Sequence, residues 1–88
     1  MAEVKIYTTK LCPYCIRAKA LLSRKGVAYQ EIDVSGNREM RRWLSDETGR
    51  QTVPQIFING EPVGGYDDIA ALDRQGRLDG MLAARAAT

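Results

Sequence analysis

The 88-residue sequence contains no histidine and only two cysteines. Without histidine, neither a Cys-His pair nor a Ser-His-Asp triad can form, because each uses the imidazole as its base. A structural zinc site usually takes four Cys or His ligands, and one chain offers only two thiols. We therefore expect no metal, and the cysteine pair needs another explanation.

Long apolar runs and a strong charge bias are also missing. No segment approaches the roughly eighteen apolar residues that a membrane span requires, and the first ten residues, MAEVKIYTTK, lack the apolar centre of a signal peptide. Thirteen basic and 11 acidic residues give a formal net charge of +2, too little to indicate nucleic-acid binding. The sequence predicts a cytoplasmic protein with no membrane or nucleic-acid partner.

The first half of the chain carries a strand–helix–strand pattern. Alternating or β-branched apolar residues predict strands over residues 3–8 and 27–34. Between them, apolar residues at helical spacing begin at Cys12-Pro13 and end before Gly26. Proline suits a first helical position and glycine suits the position just past a helix end. The pattern predicts two parallel strands joined by a right-handed crossover.

The next segment predicts a second helix and a hairpin. Met40, Trp43 and Leu44 share one helical face, and we expect all three in the core. Gly49 is predicted to end this helix. Further on, Asn-Gly at residues 59–60 lies between two apolar runs, which is the strongest short-range indication of a β-hairpin.

The C-terminal part predicts more helix. Asp67 or Asp68 can cap a helix that carries the following apolar residues, and a last amphipathic segment covers residues 78–84. The whole pattern predicts an α/β protein with a four-stranded mixed sheet, built from a βαβ unit and a β-hairpin, with helices on both faces. At this length we expect one domain, residues 1–88.

Both cysteines lie where the first strand gives way to the first helix, in Cys12-Pro13-Tyr14-Cys15. If Cys12 is the N-cap, its sulfur faces the free N–H groups of Tyr14 and Cys15 and the positive end of the helix dipole. Such settings lower the pKa of a thiol from about 8.5 to roughly 3.5–7.5. Residues three apart at a helix start are also close enough for a disulfide. Cys12 is therefore predicted to attack a disulfide, and Cys15 to resolve the product.

The alternative for this pair is a static disulfide or two buried thiols. A disulfide that closes so short a loop restricts the unfolded chain little, and static disulfides are rare in a reducing cytosol. A C-x-x-C motif that opens a helix in a βαβ context is typical of redox proteins. The redox interpretation is the one we favour.

Three motifs in order extend this interpretation. CPYC at residues 12–15, TVP at 52–54 and GGYDD at 64–68 have the order and spacing of the dithiol glutaredoxins. The sequence resembles this family over nearly its whole length, from residue 4 to residue 82. The resemblance implies a thioredoxin-like fold, glutathione as co-substrate, and a cis peptide bond before Pro54. It also implies disulfide-bonded or glutathionylated client proteins, and we expect a monomer.

The resemblance further implies how glutathione binds. The backbone of Val53 would pair with the tripeptide as an added strand and hold its sulfur over Cys12. The helix start near Tyr66 would take the γ-glutamyl carboxylate, and Asp67 the ammonium group. Helix capping alone is the alternative role for Asp67.

The glycyl carboxylate of glutathione needs a cation. The family usually has a lysine at the position of Thr9, so either Lys10 or Arg41 would take this role, although Arg41 also fits a solvated helix face. Tyr14 would pack beside the tripeptide or simply cover the helix start. The complete set implied for glutathione is Lys10, Tyr14, Arg41, Thr52, Val53, Pro54, Gly65, Tyr66 and Asp67.

The predicted activity is glutathione-dependent reduction of protein disulfides and protein–glutathione mixed disulfides. One alternative is an iron–sulfur carrier, in which two chains and two glutathiones supply four thiolates to a cluster. Family members known for that role have Cys-Gly-Phe-Ser, and both Pro13 and Cys15 disfavour it here. Another alternative is a redoxin that thioredoxin reductase reduces, which the glutathione-site motifs disfavour.

Overall fold

A computed structural model, which describes residues 2–84, contains strands and helices in the predicted order. The strands are β1 (Val4–Thr8), β2 (Gln30–Asp33), β3 (Gln55–Ile58) and β4 (Glu61–Gly64). The helices are α1 (Pro13–Arg24), α2 (Arg38–Thr48), α3 (Tyr66–Arg74) and α4 (Leu78–Ala83). Within the described range, every helix is too short or too polar to cross a lipid bilayer.

The strands form one mixed sheet in the order β2-β1-β3-β4. Strand β1 runs parallel to β2 and antiparallel to β3, and β4 pairs antiparallel with β3. The βαβ unit and the hairpin are therefore confirmed. Because Tyr7 pairs with Gln55, and Ile56 with Gly64, the ends of β1 and β4 meet the start of β3 at one end of the sheet. Both α1 and α3 begin at this end.

Each face of the sheet has its own hydrophobic core, because successive strand residues point to opposite faces. On one face, Val4 and Ile6 of β1 pack with buried residues of α1, α3 and α4. On the other, Tyr7 and Phe57 pack with Leu44 of α2. The prediction of helices on both faces is confirmed.

One core prediction is wrong. Leu44 is buried and Met40 is partly buried, but Trp43 is 40% exposed. Its ring stacks on Phe57, with centroids 6.0 Å apart, and lies 5.6 Å from the Tyr7 ring. The described helices other than α2 all pack on the opposite core, so no second helix covers the outer flank of α2.

Strand β2 is shorter than the predicted 27–34. The N–H of Val27 donates to the carbonyl of Leu22, so the chain is still completing the end of α1 at this point. The end of α2 is as predicted: Gly49 has a positive φ of 72°, and its N–H donates to the Ser45 carbonyl. Glycine adopts this left-handed conformation without steric cost.

Candidate active site

Cys12 is the N-cap of α1, as the sequence predicts. Its backbone is extended, with φ −113° and ψ 103°, and its Sγ accepts a hydrogen bond from the Cys15 N–H at 3.1 Å. Pro13 follows at the start of the helix. The helix dipole and this amide hydrogen both favour negative charge on the sulfur, so the position suits a thiolate once the pair is reduced.

The two cysteines differ in access to solvent. They are joined by a disulfide, with Cα atoms 5.2 Å apart. Cys15 is only 2% exposed, whereas Cys12 is partly exposed. The sulfur of Cys12 is therefore the more accessible of the two to solvent.

The segment before β3 lies against this disulfide. The Val53–Pro54 peptide bond is cis, as the resemblance implies, and the Val53 carbonyl oxygen lies 3.8 Å from Cys12 Sγ. Among the described residues, no backbone hydrogen bond occupies the Val53 N–H. An extended segment with an open peptide edge can pair with a peptide ligand as an added strand.

A cleft of about 290 Å³ opens beside the disulfide, where α1 and α3 begin. The residues implied for glutathione line it, apart from Lys10 and Arg41: Tyr14, Thr52, Val53, Pro54, Gly65, Tyr66 and Asp67. A larger cavity of about 390 Å³ lies beside Trp43 and contains neither cysteine. The chemistry of the disulfide, not the cavity volume, identifies the smaller cleft as the candidate site.

Lys10 and Arg41 lie outside the cleft. The pKa of Asp33 is lowered, first by hydrogen bonds from Ser35 and to a smaller extent by the charge of Lys10. The backbone N–H of Lys10 donates to Ser35 Oγ at 2.8 Å, so Lys10 lies beside the turn that follows β2. The guanidinium of Arg41 donates from Nη2 to the carbonyl of Gln51 at 3.1 Å, and both chain neighbours of Gln51, Arg50 and Thr52, line the cleft.

The start of α3 differs from the prediction. The N-cap is Gly65, not Asp67 or Asp68. Asp68 lies at the third helical position, and its Oδ2 accepts the Gly65 N–H at 2.9 Å. A Cβ at Gly65 would come within 3.1 Å of the Pro54 carbonyl oxygen. Glycine avoids this crowding at the point where α3 starts against the 52–54 segment.

Two residues of this region are missed by the sequence reasoning. Arg50 Nη1 donates to Asp68 Oδ2 at 2.6 Å and also lines the cleft. Eighteen residues separate this pair, and no local pattern connects them. Gln55 is 1% exposed, and its Nε2 donates to the Thr52 carbonyl at 3.0 Å. The signal for Gln55 is a polar residue at the start of the buried run Gln-Ile-Phe-Ile.

Replacing Asp68 by alanine is expected to lower the free energy of unfolding by about 1 kcal/mol at neutral pH, because the Gly65 N–H at the start of α3 loses the carboxylate that accepts its hydrogen bond. The Arg50 pair adds little, since both side chains are more than one third exposed. The pKa of Asp68 is lowered, first by Arg50 and then by the Gly65 N–H. The stabilisation is therefore complete above the ordinary pKa of about 4 and is lost as the pH falls through the lowered value.

Urea unfolding of the wild type and Asp68→Ala at pH 7 and at pH 2.5, roughly one unit or more below an ordinary aspartate pKa, measures this difference. Asp67→Ala is the matched control, because it removes the same charge from the neighbouring exposed position. A difference in stability that stays constant down to the lower pH, or an equal loss in the control, would contradict the assignment.

A C-x-x-C disulfide at the start of α1, facing a cis-proline segment across the end of a four-stranded mixed sheet, defines a thiol–disulfide oxidoreductase of the thioredoxin fold. Comparison with known proteins identifies the family within this class of oxidoreductases. The glutaredoxin family model matches residues 4–63. The chain belongs to the glutaredoxin family.

Individual relatives agree with this assignment. The chain is 55% identical to glutaredoxin 3 of Escherichia coli over 82 residues, which cover 93% of this chain and 99% of that protein. It is 56% identical to a glutaredoxin of Pseudomonas aeruginosa over 84 residues, covering 96% and 100%. A crystal structure of a buckwheat glutaredoxin–glutathione complex superposes with a TM-score of 0.86 at 32% identity, covering 92% of this chain and 76% of that chain.

These matches confirm the predicted family and the thioredoxin-like fold. They also confirm the predicted enzyme class, a glutathione-dependent disulfide oxidoreductase.

Proposed function

We propose that this glutaredoxin uses glutathione to reduce both protein–glutathione mixed disulfides and protein disulfides, with Cys12 as the nucleophile and Cys15 as the resolving thiol. The position of Cys12 Sγ carries the proposal. This sulfur is partly exposed, caps a helix, and lies 3.8 Å from the Val53 carbonyl at a peptide-sized cleft.

The reduction of a mixed disulfide needs only Cys12. Its thiolate attacks the glutathione sulfur of the client, the client's S–S bond breaks, and the client leaves as a thiolate that takes up a proton. Cys12 is then disulfide-bonded to glutathione. A second glutathione thiolate attacks that glutathione sulfur, which releases the Cys12 thiolate and glutathione disulfide.

The reduction of a protein disulfide also needs Cys15. Cys12 attacks one client sulfur and forms a mixed disulfide, while the other client sulfur leaves. Cys15 loses its proton and attacks Cys12, which frees the client and forms the Cys12–Cys15 disulfide. The Cα separation of 5.2 Å supports this step. Two glutathiones then reduce the pair and leave as glutathione disulfide.

The cleft supports a specific orientation of glutathione. The open N–H and carbonyl of Val53 would pair with the tripeptide backbone and hold its sulfur at Cys12. The start of α3 at Gly65 and Tyr66 would take the γ-glutamyl carboxylate, since helix N-termini bind anions. Asp67, exposed on the cleft, would take the ammonium group. Tyr14, whose ring centroid is 6.5 Å from that of Tyr66, would cover the tripeptide.

A coupled assay tests the proposal and the cation at the glycyl end. Glutathione reductase and NADPH regenerate glutathione while the protein reduces a glutathionylated peptide, and the Michaelis constant for glutathione is measured. Because Arg41 borders the cleft through Gln51, we expect Arg41→Ala to raise this constant about tenfold. Lys10→Ala, which removes a charge near Asp33, is expected to change it less than about twofold.

Arg42→Ala is the control, because it removes the same charge from the next position of α2. A larger effect from Lys10→Ala than from Arg41→Ala would reverse the assignment of the cation. A wild type that turns over only when thioredoxin reductase replaces glutathione would contradict the proposed function itself.

We also propose that the protein works as a monomer in the cytoplasm, where reduced glutathione is abundant enough to drive the cycle. The iron–sulfur carrier stays an alternative prediction. The observation that favours the oxidoreductase is the engagement of Cys12 in a disulfide with Cys15, which withdraws the sulfur that a cluster would need.

A further inference from the structure

The residue directly before Cys12 combines two unusual properties. Leu11 is 99% exposed, and its backbone has a positive φ of 57°. The other non-glycine residue with a positive φ in residues 2–84 is Asn59, a residue type that tolerates this conformation and here lies in the hairpin turn. Leucine is disfavoured there, because its Cβ crowds the following carbonyl. An exposed leucine in this conformation does not serve stability, and backbone strain of this kind clusters at functional sites.

Leu11 also has a natural packing partner that it does not contact. With Cys12 as the N-cap, Leu11 is the residue before the cap and Ile16 is the fourth helical residue of α1. Apolar residues at these two positions often pack on each other at a helix start. Here Ile16 is 63% exposed and Leu11 is almost completely so, which leaves the pair open. We call Leu11 and Ile16 the open apolar pair.

We propose that the open apolar pair is the docking surface for a client protein, and that it receives a large aliphatic or aromatic side chain beside the client's disulfide cysteine. The inference deepens the proposed function and rests on it. Cys12 lies between Leu11 and Ile16 in the chain, and every disulfide substrate must touch its sulfur. Leu11 directly precedes Cys12, and the Ile16 N–H donates to the Cys12 carbonyl at 3.1 Å, so both residues adjoin the point where the client is held.

The proposed occupant differs from glutathione. Neither Leu11 nor Ile16 lines the glutathione cleft, whose residues come from Tyr14, the segment around Val53 and the start of α3 at Tyr66. A small mixed disulfide fills that cleft and reaches Cys12 without the open apolar pair. A protein client approaches the same sulfur with its flanking residues, and apolar flanking residues bury the exposed pair. The pair would thus select among protein clients without affecting the chemistry at Cys12.

Three substrates separate these roles. Two are disulfide-bonded peptides that differ only in the residue beside the cysteine, which is leucine in one and serine in the other. The third is the mixed disulfide of glutathione and 2-mercaptoethanol. Leu11→Asn removes the apolar group and suits a positive φ, while Leu11→Met keeps the apolar group. Ile16→Gln likewise removes an apolar side chain, and glutamine is a good helix former at this position in α1.

We expect Leu11→Asn and Ile16→Gln each to lower kcat/KM for the leucine peptide about tenfold, which corresponds to one aliphatic side chain no longer buried. Turnover of the serine peptide and of the small mixed disulfide is expected to change less than about twofold, and Leu11→Met to behave as the wild type. Thermal unfolding of Leu11→Asn is expected at the wild-type temperature or above, since asparagine relieves the strained backbone.

Two results overturn the inference while the proposed function stands. Both results assume that the wild type reduces the small mixed disulfide. In the first, Leu11→Asn and Ile16→Gln lose the same factor in kcat/KM on all three substrates. In the second, these variants turn over the leucine peptide as fast as the wild type does. A wild type that does not reduce the small mixed disulfide with glutathione overturns the proposed function, and the inference with it.

Discussion

Replacing Cys12 by serine is expected to abolish the reduction of every disulfide substrate, with a fall in kcat of more than about a thousandfold. A serine hydroxyl does not ionise near neutral pH and does not form the mixed disulfide on which both proposed routes depend. Cys15 cannot take over, because its side chain is only 2% exposed in α1. The glutathione-coupled assay with a glutathionylated peptide and with a protein disulfide measures both activities.

Cys15→Ser is the matched partner of this variant. It is expected to retain reduction of the glutathionylated peptide within about threefold and to lose reduction of the protein disulfide, because only the second route needs a resolving thiol. Thermal unfolding of both variants shows whether the fold is kept. If Cys15→Ser alone stopped the reduction of the glutathionylated peptide, the roles given to Cys12 and Cys15 would be exchanged.

The second large effect is expected in the ionisation of Cys12 in the reduced protein. The N-cap position and the Cys15 N–H, at 3.1 Å from Sγ, both stabilise a thiolate. We therefore expect the pKa of Cys12 to lie below the roughly 8.5 of a free thiol. A lowered thiol pKa means that kcat/KM is constant above this value and falls about tenfold for each pH unit below it.

The ultraviolet absorption of the thiolate, followed against pH, measures this ionisation directly. The acidic step is expected to disappear in Cys12→Ser and to persist in Cys15→Ser, which assigns it to Cys12. A single alkaline ionisation near 8.5 in the wild type would remove the basis of the proposed mechanism. A midpoint for kcat/KM that differed from the spectroscopic midpoint would show that another group controls the rate.

Much of the fold could be predicted because its signals are local. The C-x-x-C motif at the start of α1, Gly49 at the end of α2 and the Asn-Gly turn at 59–60 each depend on hydrogen bonds and backbone angles within a few residues. The order of the elements followed from these signals and from apolar periodicity. The family resemblance added what periodicity does not indicate, including the cis bond before Pro54.

The errors occur where a residue's surroundings come from distant segments. Helical spacing placed Trp43 in the core, but whether a helix flank is covered depends on where the other helices pack. Local capping preferences favoured Asp67 or Asp68 as the start of α3. In the structure the N-cap is Gly65, close to the Pro54 carbonyl, and Asp68 is held by Arg50 from another part of the chain.

The sequence by itself determined the elements of this protein and the reactive pair, Cys12 and Cys15. Only the tertiary structure decided what surrounds the pair: the Val53 carbonyl 41 residues away, the cleft at the start of α3, and the exposure of Leu11. The physical reason is the distance along the chain over which the interactions act. Helix caps and turns depend on interactions between chain neighbours, whereas a binding site depends on segments that meet only when both faces of the sheet have packed.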